Sequence, residues 1–100
     1  MKLFIDTGNL DEIREAMSWG IIDGCTCNPT AASKAGIPPR ELYPKICEAM
    51  QGRHTSLESV GSTADEIIRE GRILAGIAEN VVVKVPNTIE GLKAVRRLEE

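Results

Sequence analysis

Val81-Val82-Val83-Lys84-Val85-Pro86 reads as a fully buried β-strand: β-branched residues favour extended backbone, and the proline ends the run. An ammonium in such a strand is costly to desolvate, so Lys84 is the residue around which the rest of the chain is read. Strand alternation puts Lys84 on the face of Val82, near the C-terminal end, where a parallel βα architecture carries its chemistry. A lysine so placed is a candidate Schiff-base nucleophile.

Working outward, the sequence passes four times from a short β-rich run to an amphipathic helical pattern, the signature of parallel βα units in an α/β fold. The strands are expected at residues 2–6, 24–28, 55–59 and 81–85. Asn9 with Glu12, Thr63 with Glu66, and Asn87 with Glu90 each resemble a helix N-cap with its partner three residues on. The helical stripes are Leu10, Ile13 and Met17; Leu42, Ile46 and Met50 after Pro38-Pro39; Ile67, Ile68, Leu74 and Ala75; and Leu92, Val95 and Leu98. All four helices are expected on one side of the sheet. Residues 29–39 read as the longest irregular stretch, a βα loop of the kind that carries function.

A chain of 100 residues makes a single domain spanning 1–100, with 42% hydrophobic and 27% charged residues and only one Trp, one Tyr and one Phe. Aliphatic residues must therefore supply the packing. The net charge of -3 is spread along the helices, which leaves no basic stripe for nucleic acid or an anionic membrane. No apolar stretch approaches the ~20 residues of a membrane span, and the strand-like Met1-Lys2-Leu3-Phe4-Ile5 stands where a signal peptide would, so a cytoplasmic location is expected.

Period two places Phe4 with Asp6, Thr26 with Asn28, Ser56 with Glu58 and Val82 with Lys84, opposite Leu3, Ile5, Leu57, Val81 and Val83. If that first face looks into a barrel, Asp6, Thr26, Asn28, Glu58 and Lys84 converge at its C-terminal mouth. An amine between two carboxylates suits carbonyl chemistry, in which the amine attacks, the acids shuttle protons and the iminium accepts electrons as a C–C bond breaks. Nearby carboxylates favour the charged ammonium and desolvation by the valines favours the neutral amine, two opposing influences.

Each residue also has a plainer reading. A strand lysine often snorkels from an edge or pairs with an acid, so Glu58 and Lys84 are also a structural ion pair in waiting. Asp6-Thr7-Gly8-Asn9 and Asn28-Pro29 both contain ordinary turn formers. Cys25 and Cys27 should face away from Thr26 and Asn28, towards the helices, and pack with Cys47 as reduced small hydrophobes; with His54 alone to join them, no metal site is expected. His54 reads as a loop or strand-start residue.

Together these segments resemble the transaldolase family, in its small single-barrel branch, along essentially the whole chain. The resemblance rests on Phe4-Ile5-Asp6-Thr7-Gly8-Asn9-Leu10, on Trp19-Gly20-Ile21-Ile22-Asp23-Gly24 leading into Thr26-Cys27-Asn28-Pro29-Thr30, and on Asn80 to Pro86 followed by Thr88 and Glu90-Gly91-Leu92-Lys93-Ala94. It implies a (βα)4 unit, the N-terminal half of a TIM (β/α)8 barrel. It further implies that a dihydroxyacetone unit is moved between sugar phosphates, sedoheptulose 7-phosphate and glyceraldehyde 3-phosphate, in the pentose phosphate pathway without a cofactor.

In that resemblance Lys84 forms the imine, Asp6 is the acid-base group of C–C cleavage, and Glu58 assists imine formation through a water held by Thr26. Asn28 binds substrate hydroxyls. Glu58 stands where the related fructose-6-phosphate aldolases typically carry Gln, which favours transfer over release. Cys27 for Thr, Ala31-Ala32-Ser33 for a bulkier apolar run and Ser59 for Val are departures expected to loosen packing behind the site.

A full barrel has eight strands and typically ~250 residues, although small members of this family are shorter. Four strands leave both sheet edges unpaired and one face uncovered, which invites association into a homo-oligomer. The family's phosphate-binding residues belong to the other half, and Arg14, Arg69, Arg72, Arg96 and Arg97 here fall on helices. Two other readings remain beside transfer: an aldolase with the same imine, and a catalytically silent half-barrel.

Overall fold

A computed structural model describes residues 1–99. Each short strand hands over to a helix in the order β1 (Phe4–Asp6), α1 (Leu10–Ser18), β2 (Gly24–Cys27), α2 (Pro29–Ala35), α3 (Pro39–Ala49), β3 (His54–Glu58), α4 (Ala64–Ala75), β4 (Val81–Lys84) and α5 (Ile89–Leu98). The strands pair in parallel in sequence order, β1-β2-β3-β4, so β1 and β4 form the edges. This is an α/β (βα)4 unit, consistent with half of a TIM barrel.

Three of the strands are shorter than the residue pattern suggests, and β3 keeps its length but starts one residue earlier. Lys2, Leu3, Asn28, Ser59 and Val85 lie outside them, and His54 opens β3. The stretch after β2 is not an irregular loop, because α2 fills most of it. Asn28 Oδ1 accepts from the Ala31 amide at 2.8 Å, Pro29 occupies the first turn, and Gly36 closes the helix at φ 73°, a left-handed conformation that suits glycine.

The Asn9 and Thr63 caps form as expected, with Asn9 Oδ1 accepting from Glu12 N and Thr63 Oγ1 from Glu66 N. The cap of α5 is Thr88 rather than Asn87: its Oγ1 accepts from Gly91 N at 3.0 Å. Glu90 instead reaches back to α4, where it accepts from Ala64 N at 3.2 Å. Gly91 is required at this turn, since a Cβ there would collide with the Pro86 carbonyl.

Helices cover one side of the sheet. Ile13 and Ala16 of α1, Leu42 and Ile46 of α3, the α3 cap residue Met50 and Leu74 of α4 bury against Cys25, Cys27 and Leu57. Ile67, Ile68 and Ala94 form a smaller cluster where α4 meets α5. Two expected core positions are exposed instead: Ala75, and Leu92 at 62%. In α5 it is Gly91 and Ala94 that bury, because the helix leans on α4.

Cys25, Cys27 and Cys47 are free and buried; the first two face the helices, as strand alternation requires, and Cys47 packs there from α3. Burial, assisted by Cys27, Cys47 and Asp6, pushes the Cys25 thiol up to about 12. Burial and then Asp6 push Cys27 up to about 11, and burial raises Cys47. Between the ordinary thiol value of 9.0 and these raised values the unfolded chain gives up protons that the folded chain keeps, so their contribution to stability falls as pH rises through that window. Native protein at neutral pH should resist iodoacetamide at Cys25 and Cys27 and react once denatured. Fast labelling of the native chain would contradict this packing.

Candidate active site

The opposite face of the sheet is open. Its lowest layer is built by Phe4, Gly24 and His54: the Phe4 and His54 rings meet edge to face at 4.9 Å, over a glycine whose Cβ would strike the Phe4 ring. His54 Nε2 lies 2.7 Å from Ser56 Oγ. His54 is thus a strand-start residue, as expected, that also floors this face.

Above that floor, parallel register lines up Asp6 with Thr26, Thr26 with Ser56 and Ser56 with Val82. One step higher, Glu58 is the direct partner of Lys84. Asp6, Glu58 and Lys84 are the last residues of β1, β3 and β4, so all stand at the C-terminal rim. Thr26 Oγ1 donates to Asp6 Oδ1 at 3.0 Å. Thus Asp6 pairs with Thr26 on one half of the rim, and Glu58 neighbours Lys84 on the other. Three inter-strand steps of ~4.8 Å separate β1 from β4 along the sheet.

The β4 run is not buried on both faces. Val81 and Val83 are half-buried beneath the helices, Val82 is 43% exposed and Lys84 is exposed. The expected desolvation of Lys84 is therefore missing, because no described residue covers the face it shares with Val82. Nor do Glu58 and Lys84 form the structural ion pair considered above: among the described residues the pairs are Lys93 with Glu90 and Arg97 with Asp65.

Asn28 caps α2 through its Oδ1, which leaves its amide NH2 as the group able to donate to a hydroxyl. A groove of about 360 Å³ between the β1–α1 turn and α2 takes in Asp6, Asn28, Thr30 and Lys34, but neither Glu58 nor Lys84. Gly8 makes the groove's close wall, since a Cβ there would lie 2.7 Å from the Ala31 carbonyl. Small residues at 31–33 thus accompany a tight backbone approach rather than a gap, and Ala32 is fully buried.

Ser59 is likewise not a loosened position. Its hydroxyl reaches Ile67 O at 3.2 Å and Glu70 Oε2 at 3.1 Å, while Glu70 Oε2 also accepts from Val60 N at 2.7 Å. Glu70 therefore clamps the chain immediately after Glu58, a role that no short motif announces. Tyr43, buried on α3, is a second residue the sequence did not single out; burial, Cys27 and Glu58 push its hydroxyl up to about 12. The Glu70 clamp arises where α4 meets the chain leaving β3.

The profile of the transaldolase/fructose-6-phosphate aldolase family matches residues 3–100. The chain belongs to that family. Among curated transaldolase-family relatives, it is 56% identical over 99 residues to a probable transaldolase of Aquifex aeolicus (strain VF5), an alignment covering 99% of this chain and 45% of that protein. It is 49% identical over 100 residues to one of Hydrogenobaculum sp. (strain Y04AAS1), covering 100% of this chain and 46% of the relative. A probable transaldolase of Syntrophobacter fumaroxidans (strain DSM 10017 / MPOB) is 53% identical over 104 residues, covering 100% and 47%. The chain spans about half the length of the curated relatives it matches. No helix among its described residues is long and apolar enough to cross a membrane.

Proposed function

We propose that this chain carries the imine-forming half of a transaldolase active site, which moves a dihydroxyacetone unit from a ketose phosphate such as sedoheptulose 7-phosphate to glyceraldehyde 3-phosphate, in the cytoplasmic pentose phosphate pathway. The carrying observation is that Lys84 and Glu58 are register partners at the sheet rim, on the same open face as the hydrogen-bonded Asp6 and Thr26.

Lys84 Nζ attacks the ketose carbonyl carbon, and loss of water from the carbinolamine gives the iminium. Glu58, with a water held by Thr26, carries the protons of that dehydration. Asp6 takes the proton of the hydroxyl next to the breaking C–C bond; the aldose leaves, and the bonding pair is held as the enamine. Addition of the enamine to the acceptor aldehyde returns the proton from Asp6, and hydrolysis of the new iminium frees the lysine. The Asn28 amide holds a substrate hydroxyl. No step calls for a cofactor.

Borohydride trapping with fructose 6-phosphate, followed by peptide mass mapping, tests the assignment. The expected result is a reduced adduct on Lys84. An unmodified Lys84, under conditions that label a full-length relative, would overturn it. Free dihydroxyacetone accumulating without an acceptor would instead identify an aldolase. The exposure of Lys84 favours a second reading, in which the isolated chain is silent until its open face is covered.

A further inference from the structure

Ser59 ties the ends of β3 and β4 to α4. It lies one residue past Glu58, yet its backbone N–H donates to the Lys84 carbonyl at 2.8 Å and adds a last rung to the β3–β4 ladder. Its side chain is fully buried and faces two acceptors on α4, Ile67 O at 3.2 Å and Glu70 Oε2 at 3.1 Å. The same Glu70 oxygen takes the Val60 N–H at 2.7 Å. A serine hydroxyl has one proton to donate, and both groups able to receive it belong to the helix, so Ser59 is oriented from that side.

The rest of the β3–α4 connection leaves this anchor no slack. Ser62 N donates to Glu66 Oε2 at 2.9 Å, Thr63 caps α4, and Gly61 runs so close to the helix that a Cβ would stand 2.6 Å from Glu66 Cβ. All these contacts run between β3, β4 and α4 themselves, independent of anything that adjoins the sheet.

What Ser59 joins is the pair of rim residues. Glu58 precedes it in the chain, Lys84 is its backbone acceptor, and the two are register partners. No ion pair among the described residues involves Lys84, so the described part of the fold aims its Nζ through the backbone alone. The carbonyl that Ser59 holds belongs to that same residue.

We infer that Glu70, acting through Ser59, is a positioning residue for the Lys84 amine and the Glu58 carboxylate, because it fixes the separation of their backbones at the rim. The inference rests on the imine reading and adds to it a residue that touches neither substrate nor reacting atoms. Ser59 stands where the family resemblance implies Val, which could not donate to Glu70, so the hydroxyl link is a departure of this chain.

The test is the rate at which borohydride-trapped adduct forms on Lys84 of the full chain at rising fructose 6-phosphate concentration, measured by mass beside thermal melts. Since a displacement of ~1 Å can cost on the order of 100-fold in rate, Glu70→Ala, which removes the shared acceptor of Ser59 and Val60, should lower the maximal trapping rate about tenfold or more. The half-saturating donor concentration should stay nearly unchanged, because donor hydroxyls are held elsewhere. Glu70→Gln keeps a carbonyl oxygen for both donors and should recover most of the rate. Ser59→Ala should share the loss, and it carries the comparison should Glu70→Ala not fold. Ile68→Val, a buried change on the same helix, should lower the melting point without slowing trapping. Trapping at the wild-type rate in Glu70→Ala and Ser59→Ala would overturn the inference and leave the imine reading standing, as would losses that follow melting point in every variant, Ile68→Val included. No adduct on the wild-type chain, under conditions that label a full-length relative, would overturn the imine reading and this inference with it.

Discussion

If Lys84 is the imine lysine, as proposed, Lys84→Ala should yield no borohydride-trapped adduct with fructose 6-phosphate and should lower any transfer activity by on the order of 10⁴-fold or more, because the proposed covalent intermediate loses its attachment atom. The substitution should leave the fold in place. Lys84 is exposed and joins neither ion pair of the described residues, so its stability effect should stay within about 0.5 kcal/mol. Circular dichroism melts beside the trapping experiment separate the two effects. An adduct that persists in Lys84→Ala, mapped to Lys2, Lys34, Lys45 or Lys93, would remove the nucleophile from β4 altogether.

Leu57→Ala is expected to be among the most damaging single changes to the fold. Leu57 is fully buried in the third strand, flanked in register by Cys27 and Val83, and faces the cluster of Leu42, Ile46 and Met50. Neither neighbouring strand can move into the space without breaking its ladder, so a loss of about 3 kcal/mol follows from transfer and cavity formation together. For a domain of this size that corresponds to a melting point lower by on the order of 15 °C. Ile73→Ala, at a position 65% exposed on α4, should change stability by less than about 0.5 kcal/mol. Equal losses at the two positions in thermal melts would refute the layer order described above.

The strand centres were legible because alternation is strict where one face is buried. Cys25, Cys27 and Leu57 all turn to the helices, as period two requires. Helix α2 was missed although its signals are present, since Asn28-Pro29 also suits a strand end followed by a turn, and only the Ala31 amide bonding to Asn28 distinguishes the two. Thr88 took the cap expected of Asn87 because the chain leaving Pro86 turns tightly against Gly91, a constraint of packing rather than propensity. At the site, the sequence predicted which residues share a face. It did not predict that Asp6 and Thr26 would bond to each other while Lys84 stood in the open, because side-chain pairing and exposure depend on what lies across the sheet.

By itself the sequence determined the parallel βα order, the inward face of each strand and the identity of the polar residues at the strand ends, because these follow from periodicities of 2 and 3.6 along one chain. Only the tertiary structure decided that Glu70 holds the chain after Glu58, that Tyr43 is buried on α3, and that β4 is exposed on one side. Such facts depend on which surfaces meet in space. A buried-looking strand is buried only when something packs on both of its faces, and here helices cover one.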